Sequence, residues 1–453
     1  VHYPRSAEQY SPSIDSLKEF VLVTDVVKIH PCSPVEGTIR TPGSKSITNR
    51  AIVCAALAAG TSRLTGVLDS EDTAVMIDAW KRLGIKLQHD VMASELHIEG
   101  CGGVLPNQQA KIHVANSGTT IRFLTAALAA CSGHFELDGV PRMRERPIGD
   151  LLVALRQLGA NIQSLNTEAN NCPPVLIEAN GLRGGKATVA GNISSQFLSG
   201  LMMAAPMATS NVTLMVEGEL VSVPYVEMTA QVMRAFGAHI DGPSTGPLHI
   251  DASHRYIGTD YAIEPDASAA SYFWGAAAIT GGRVRVEGLS LSSLQGDVRF
   301  CEVLERMGCS VNYLENAIEV GGGELLGIDV DMSDISDTVQ TLAAVALFAN
   351  GPTTIRGVAH NRVKETDRIS DLARELQKLG ARIDEFPDGL RITPPLEIQP
   401  AEIETYRDHR MAMSLALVGL RVKGISIRDP NCTAKTYPGY WDDLELFSGC
   451  RVD

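Results

Sequence analysis

Residues 43–67 read GSKSITNRAIVCAALAAGTSRLTGV: a polar cluster, a run of small and apolar residues, a glycine, and a short stretch with strand character. Residues 51–59 are apolar nearly all round, which places a helix inside a domain rather than on its surface. The run stops after about ten residues, half of what a bilayer span requires. The glycine that follows marks a turn, and residues 63–67 read as a strand. The same order recurs along the chain. Small-residue helices begin near Ser46, Ser117, Ser194, Ala267, Asp337 and His409, 70 to 77 residues apart. Each leads into a short strand, at residues 63–67, 134–137, 212–216, 283–286, 353–355 and 425–427.

A second, amphipathic helix follows the strand in five of the copies and ends at Gly84, Gly159, Gly237, Gly308 and Gly380, glycine being the usual left-handed helix stop. Within residues 371–380, Leu372, Ala373, Leu376 and Leu379 recur at helical spacing with charges between them, so one face is buried and the other solvated. The sixth copy, ending near residues 441–447, reads as shortened or altered. Six units in a row suggest a solenoid, but first helices that are apolar on every side belong in an interior. Three units per domain, with strands outside and these helices packed within, satisfy both facts. The expectation is an α/β chain of two domains, the fourth unit opening at residues 264–266. Residues 1–27 fall outside the repeat; their Pro/Ser-rich start reads as a linker, and residues 20–29 as a strand or extended segment.

Composition narrows the function. The 453 residues suit two or three domains, and 44% hydrophobic with 20% charged residues describes an ordinary globular interior. A formal charge of -14 repels a phosphate backbone, so neither nucleic acid nor an anionic membrane suits the surface as a whole. Any anion site must be a local basic pocket. Nine scattered cysteines without a CxxC pair fit reduced thiols in the cytoplasm better than disulfides or zinc. No metal or cofactor is expected: the histidines lack ligand spacing, and no HExxH, EF-hand loop or GxSxG elbow is present. Gly43-Ser44-Lys45-Ser46 lacks the spacing of a nucleotide P-loop. The chain opens at Val1 rather than methionine, as expected of a piece excised or processed from something larger.

Polar and charged residues gather at the starts of the apolar helices: Gly43-Ser44-Lys45-Ser46, Asn116-Ser117-Gly118-Thr119, Ser194-Ser195-Gln196, Asp266, Ser336-Asp337 and Asp408-His409-Arg410. Helix capping alone accounts for any one of them. Six in register, with Lys45, Arg50, Arg122, Arg142, Lys364, Arg368, Arg410 and Lys435 nearby, point further. Each helix start offers free N–H groups and a partial positive charge. Six facing one another make a cleft for polyanions. Asp337 and Glu365 stand beside this basic set, either as its salt-bridge partners or as the paired groups that proton transfer needs.

At these residues the chain resembles the 5-enolpyruvylshikimate-3-phosphate (EPSP) synthases. The likeness runs from about residue 28 to the end and rests on Gly43–Ser46 with Asn49-Arg50, Asn116–Thr119 through Arg122, and Pro141-Arg142 through Pro147. It continues through Ser194–Phe197, Arg362–Arg368, Asp408–Met413 and Cys432–Thr436. The resemblance implies an inside-out α/β barrel fold of six βαβαββ-like repeats, with ligands between two domains. One domain would be residues 43–264 and the other residues 28–42 plus 265–453, with crossovers near residues 42–43 and 263–265.

It also implies transfer of the enolpyruvyl group of phosphoenolpyruvate to the 5-hydroxyl of shikimate 3-phosphate, by addition and elimination, in aromatic amino acid biosynthesis. Shikimate 3-phosphate would be held by Lys45, Ser46, Arg50, Ser194, Ser195, Gln196, Ser222, Tyr225, Asp337 and Lys364. Phosphoenolpyruvate would be held by Lys45, Asn116, Gly118, Arg142, Gln196, Arg368, Arg410 and Lys435. Asp337 would act as base, and Glu365 with Lys45 would handle the proton at the methylene carbon. Cys432, three residues before Lys435, is carried as a further catalytic candidate, because a neighbouring cation can lower a thiol pKa; a buried, incidental cysteine is the favoured reading, since the implied chemistry needs no covalent thiol.

His360 stands where the family has a substrate-contacting asparagine, and Phe123 where many members have proline. Gly118, kept as glycine, implies sensitivity to glyphosate. The non-methionine start is similar to an internal slice of the fungal pentafunctional arom polypeptide, whose neighbouring shikimate-pathway domains would then be partners. Two rivals are a transferase acting on UDP-N-acetylglucosamine, disfavoured by the Ser194–Gln196 and Lys364–Arg368 motifs, and an inactive scaffolding domain, disfavoured because every expected catalytic side chain is present.

Overall fold

The apolar helices anticipated from the repeat span Lys45–Leu57, Gly118–Ala129, Ser195–Ala204, Ala267–Thr280, Val339–Ala346 and His409–Gly419. These are the inner helices of a computed structural model that describes residues 26–169 and 171–453; of the linker expected at residues 1–27, residues 1–25 lie outside the described residues. All 14 residues of Ala267–Thr280 are buried, as is every residue of Gly118–Ala129, Val339–Ala346 and His409–Gly419. Small residues make this possible, because helices with no solvent face must approach on several sides. A Cβ on Gly275 would lie 2.9 Å from Thr341 Cγ2 and 3.2 Å from Leu417 Cδ1, so glycine there lets three inner helices of one half meet.

The amphipathic helices lie outside this layer, and the five anticipated glycine stops all carry positive φ, between 87° and 107°. Helix Arg368–Lys378 follows the expected pattern, with Ile369, Leu372, Ala373 and Leu376 buried.

Six sheets form the outer layer, five of them built alike. In each of these the strand after the inner helix is central: it pairs in parallel with one neighbour and antiparallel with the near strand of a hairpin. Strand Arg283–Glu287 shows the expected alternation, Val284 and Val286 turned inward and the other three residues exposed.

The exchange of two strands sets the topology. Glu36–Ile39, early in the chain, pairs in parallel with Arg283–Glu287, while Asp260–Ala262 returns to pair with Ala59–Thr65. The connecting segments pass side by side, Ser44 N–H donating to Glu264 O at 2.8 Å and Asp266 N–H to Pro42 O at 2.7 Å. Gly43 permits the crossing, since a Cβ there would sit 1.8 Å from Gly66 O. Buried apolar residues accordingly fall into two clusters, one running from Ile47 to Ile263 and one combining Val27, Ile29 and Val35 with Ala267 to Cys450.

The sixth unit is altered in a specific way. Its second helix is present, Tyr440–Ser448, and stops at Gly449 in the left-handed conformation. Among the described residues, no hairpin follows it. Strand Val26–Ile29 fills part of that place, antiparallel to Ile425–Arg428. Among the described residues, no helix is long and apolar enough to cross a membrane.

Candidate active site

Five of the inner helices begin with a side-chain cap: Ser44, Ser117, Ser194, Asp266 and Asp408 each accept from a backbone N–H of their own first turn. Capping is therefore real, and it does not exhaust these clusters. The residues beside the caps, Lys45, Gly118, Thr119, Arg122, Ser195, Gln196 and Arg410, line one cleft between the halves, together with Ser336 and Asp337 ahead of helix Val339–Ala346. The start at Asp266 opens on a smaller adjoining cavity that shares Lys45, Tyr225 and Arg410 with the cleft. The cleft encloses about 770 Å3 including its open mouth, and its walls carry six lysine or arginine side chains against three carboxylates. In a chain of net charge -14, that local excess of positive charge marks an anion site.

Asp337 lies at the centre of the charges. Its Oδ1 is 2.8 Å from Lys364 Nζ and 3.4 Å from Arg368 Nη1; its Oδ2 is 2.5 Å from Arg410 Nη2. Glu365 Oε2 lies 3.0 Å from Arg368 Nη2, and its Oε1 3.8 Å from Lys435 Nζ. Arg368 is fixed from behind by Asp408, through Nε at 2.6 Å and Nη2 at 3.1 Å. Burial pushes both cleft carboxyls up. The surrounding cations outweigh it, Arg410, Lys364, Arg368 and Lys45 for Asp337 and Arg368, Arg146 and Lys435 for Glu365, so both are held well below the usual carboxylate range. Conversely, burial and mutual repulsion pull Arg122 and Lys364 down. Crowded, partly desolvated cations of this kind are stabilised when an anion arrives.

The halves touch across this cleft. Arg142 Nη2 donates to Lys364 O at 3.1 Å, and Lys435 Nζ donates to Asn116 O at 2.7 Å and lies 3.5 Å from Asp72. Asn116, Arg142 and Lys435 line a larger groove that continues from the cleft past Asp72 and Glu365. Ser194, Ser195, Gln196, Ser222, Tyr225 and Lys364 line the cleft itself, whereas Ser46 lines the smaller cavity. Arg50 lines none of the three. Its guanidinium is buried, donating to Thr229 Oγ1 at 2.7 Å, Ser46 O at 2.8 Å and Tyr225 O at 3.3 Å. It thus braces Ser46 and Tyr225 from behind, and Phe123 packs beneath it with the ring centroid 5.1 Å from Arg50 Cζ.

The surroundings of Cys432 favour the buried, incidental reading. It lies in the groove with Lys435, but burial pushes its thiol up, and Thr405, Asp429 and Asp408 leave it there. A protonated thiol is no nucleophile. Cys432→Ser is expected to keep wild-type turnover within about twofold, a change of roughly 0.4 kcal/mol, measured as steady-state kcat.

Sequence reasoning missed two carboxylates. Asp72, in the first turn of helix Glu71–Arg82, faces Lys45 at 4.0 Å and Lys435; its only sequence signal is a capping box at Ser70 and Thr73. Asp297, in the turn after Gln295-Gly296, carries no motif at all. His360 is buried with Nε2 2.9 Å from Ser336 Oγ, and burial with Lys364 beside it pulls its pKa down to about 3, so it presents a neutral imidazole. Away from the cleft, His239, Asp251 and His254 gather their ligand atoms within 4.8 Å on an outer sheet, a grouping that sequence spacing did not reveal.

The chain is similar to known proteins over most of its length. The family model described as EPSP synthase (3-phosphoshikimate 1-carboxyvinyltransferase) matches residues 29–444. The chain is 48% identical over 410 residues to the 3-phosphoshikimate 1-carboxyvinyltransferase of Nostoc punctiforme, covering 90% of this chain and 95% of that one. It is 46% identical over 437 residues to the chloroplastic enzyme of that name from Brassica napus, covering 92% and 84%. A crystal structure of EPSP synthase from Acinetobacter baumannii superposes with a TM-score of 0.79 at 27% identity, covering 94% of this chain and 99% of the other. With its paired inside-out halves and its cationic cleft, the chain belongs to the EPSP synthases, the 3-phosphoshikimate 1-carboxyvinyltransferases of the shikimate pathway.

Proposed function

We propose that the cleft joins shikimate 3-phosphate to phosphoenolpyruvate as follows. Lys364, Ser194, Ser195, Gln196, Ser222 and Tyr225 hold the first ligand, with Lys45, Ser46 and, through the groups it braces, Arg50. Arg368, Arg410, Arg142, Lys435, Lys45 and Gln196 hold the second, beside Gly118 and Asn116. Both ligands carry a phosphate and a carboxylate, which planar guanidinium forks grip in a bidentate manner. The observation that carries this reading is the convergence of the inner helix starts, with six cationic side chains, on two ionised carboxylates.

Asp337, ionised and central, takes the proton of the 5-hydroxyl as that oxygen bonds to the enol carbon. Glu365 takes up a proton from water as the ligands bind, delivers it with Lys45 to the methylene carbon, and recovers it from that carbon as phosphate leaves. Glu365 is held ionised by Arg368, Arg146 and Lys435 in the free protein; ligand anions that engage those cations weaken their hold and make it a better proton carrier. Loss of phosphate then restores the double bond. Holding two mutually repelling anions in line supplies on the order of 7–11 kcal/mol of the barrier.

The test is phosphate release on mixing the chain with phosphoenolpyruvate and one acceptor at a time. Release with shikimate 3-phosphate and not with UDP-N-acetylglucosamine supports the reading; the reverse overturns it. Glyphosate is the proposed inhibitor, because a Cβ at Gly118 would reach within 2.4 Å of Arg146 Nη2 and 2.8 Å of Arg122 Nη1, and its absence leaves room beside those groups. Turnover is expected to fall at least tenfold at millimolar glyphosate, a loss of roughly 1.4 kcal/mol or more; undiminished turnover contradicts this. Nine cysteines outside any disulfide support a reducing compartment such as the cytoplasm. Within a longer polypeptide, neighbouring shikimate-pathway domains are the proposed partners.

A further inference from the structure

Tyr225 presents one hydroxyl proton to two carboxylates. Its oxygen lies 3.2 Å from Asp297 Oδ2 and 3.3 Å from Asp337 Oδ2. A phenol donates once, so both contacts are hydrogen bonds only when one carboxyl carries a proton and donates back to the phenol oxygen. The three groups therefore form a chain with room for one more proton than two carboxylates and a phenol hold between them.

The surroundings decide where that proton rests. Asp297 is buried, its Oδ2 also accepts from the Ser268 hydroxyl, and its Oδ1 has no hydrogen-bond partner. The charged and titratable groups facing it are Tyr225 from helix Val223–Ala235, Asp266 at the start of helix Ala267–Thr280, Asp337 ahead of helix Val339–Ala346, and Arg410 from helix His409–Gly419. Lys45 lines the same small cavity. Arg299, on the same turn as Asp297, pairs instead with Asp334 at 3.0 Å. Arg410, the one cation among the groups facing Asp297, directs Nη2 to Asp337, which has Lys364 and Arg368 besides. Burial and the charge of Asp337 push Asp297 up to about 6, while cations hold Asp337 far lower. A proton arriving on Asp337 runs downhill to Asp297.

We propose that Asp297 is the proton store of this site: the proton that Asp337 takes from the acceptor hydroxyl passes through Tyr225 to Asp297, and Asp337 is regenerated as a carboxylate before the product leaves. This rests on the reading of Asp337 as the base. The Asp337 O–H bond breaks as its proton bonds to the Tyr225 oxygen, and the proton Tyr225 already held moves to Asp297 Oδ2. The groups end as carboxylate, phenol and carboxylic acid, with the net charge unchanged. As the bond to phosphate breaks, Asp297 gives the proton back through Tyr225 and Asp337 to the leaving oxygen, so that phosphate departs as hydrogen phosphate and all three groups return to their starting forms. Asp297 touches no substrate and acts through Tyr225.

The experiment compares wild type, Asp297→Asn and Tyr225→Phe, with kcat followed from pH 5 to 9 at saturating substrates. In the wild type kcat is expected to fall as pH drops through about 6, because a store already filled accepts nothing. In Asp297→Asn kcat is expected to be roughly tenfold lower or more at pH 8, both KM values are expected to stay within about twofold, a change of roughly 0.4 kcal/mol, and the acid limb is expected to vanish. Asp297→Glu restores part of kcat and the limb together. Should Asp297→Asn fail to fold, Tyr225→Phe, which keeps the ring and breaks the chain, is judged by loss of the same limb. Wild-type kcat in Asp297→Asn, or an acid limb that stays near 6 in both variants, overturns the store. No phosphate release by the unmodified chain defeats the reading of Asp337 instead, so the two failures are told apart.

Discussion

Asp337→Asn is expected to lower kcat about 10²–10⁴-fold, the range that a positioned general base contributes, while the chain goes on binding both ligands. Asparagine keeps the shape but accepts on one branch only, so it serves either Tyr225 or Lys364, and it cannot take a proton. It also removes the one negative charge shared by Lys364, Arg368 and Arg410. Stripping a buried cation of its partner costs about 3–5 kcal/mol, so the ligand-free variant is expected to melt below the wild type. Anionic ligands restore the missing charge. The rise in Tm on adding shikimate 3-phosphate is therefore expected to be larger in the variant. Steady-state kinetics and thermal denaturation with and without ligand check the two halves of this expectation; a variant that keeps wild-type kcat removes Asp337 from the chemistry.

Arg410→Ala is expected to be the most damaging loss of a binding group. Its guanidinium reaches Asp337 on one side and the Tyr272 hydroxyl, at 3.5 Å, on the other, and it forms part of the wall between the cleft and the smaller cavity. Truncating one partner of a desolvated, hydrogen-bonded charge pair costs about 2–5 kcal/mol, roughly 30- to 5,000-fold in kcat/KM. The loss should fall mainly on phosphoenolpyruvate, leaving the affinity for shikimate 3-phosphate nearer the wild type. Arg410→Lys is expected to recover only part, since an ammonium supplies charge without the planar fork. Equal losses for both ligands would contradict the division of the cleft proposed above.

These effects were legible because the repeat states them locally. A helix apolar on every side, opened by Ser-Lys, Ser-Gly-Thr or Asp-His-Arg, carries both its burial and its anion-facing end in a dozen residues. The paths of Glu36–Ile39 and Asp260–Ala262 are not written locally. Each is a short strand like its neighbours, and only the pairing with Arg283–Glu287 or Ala59–Thr65 shows that it crosses between halves; the family resemblance supplied that crossing and the periodicity did not. Asp72 and Asp297 were illegible for a related reason. Each is an ordinary acidic residue in a turn or first helical turn, and each gains its meaning from partners far away in sequence. Arg50 shows the opposite limit: its motif is intact, yet the fold spends its donors on Ser46, Thr229 and Tyr225. For Cys432, nearness in sequence to Lys435 said nothing of burial, which pushes the thiol up and favours the incidental reading.

The central claim is that helix starts and guanidinium groups from both halves form one site for two anions. Titration calorimetry tests it directly: shikimate 3-phosphate is titrated first, then phosphoenolpyruvate into the binary complex of the Asp337→Asn variant, where turnover is slowed. One saturable site for each ligand is predicted, each weakening as ionic strength rises. No saturable heat for either, or affinities indifferent to salt, would contradict it.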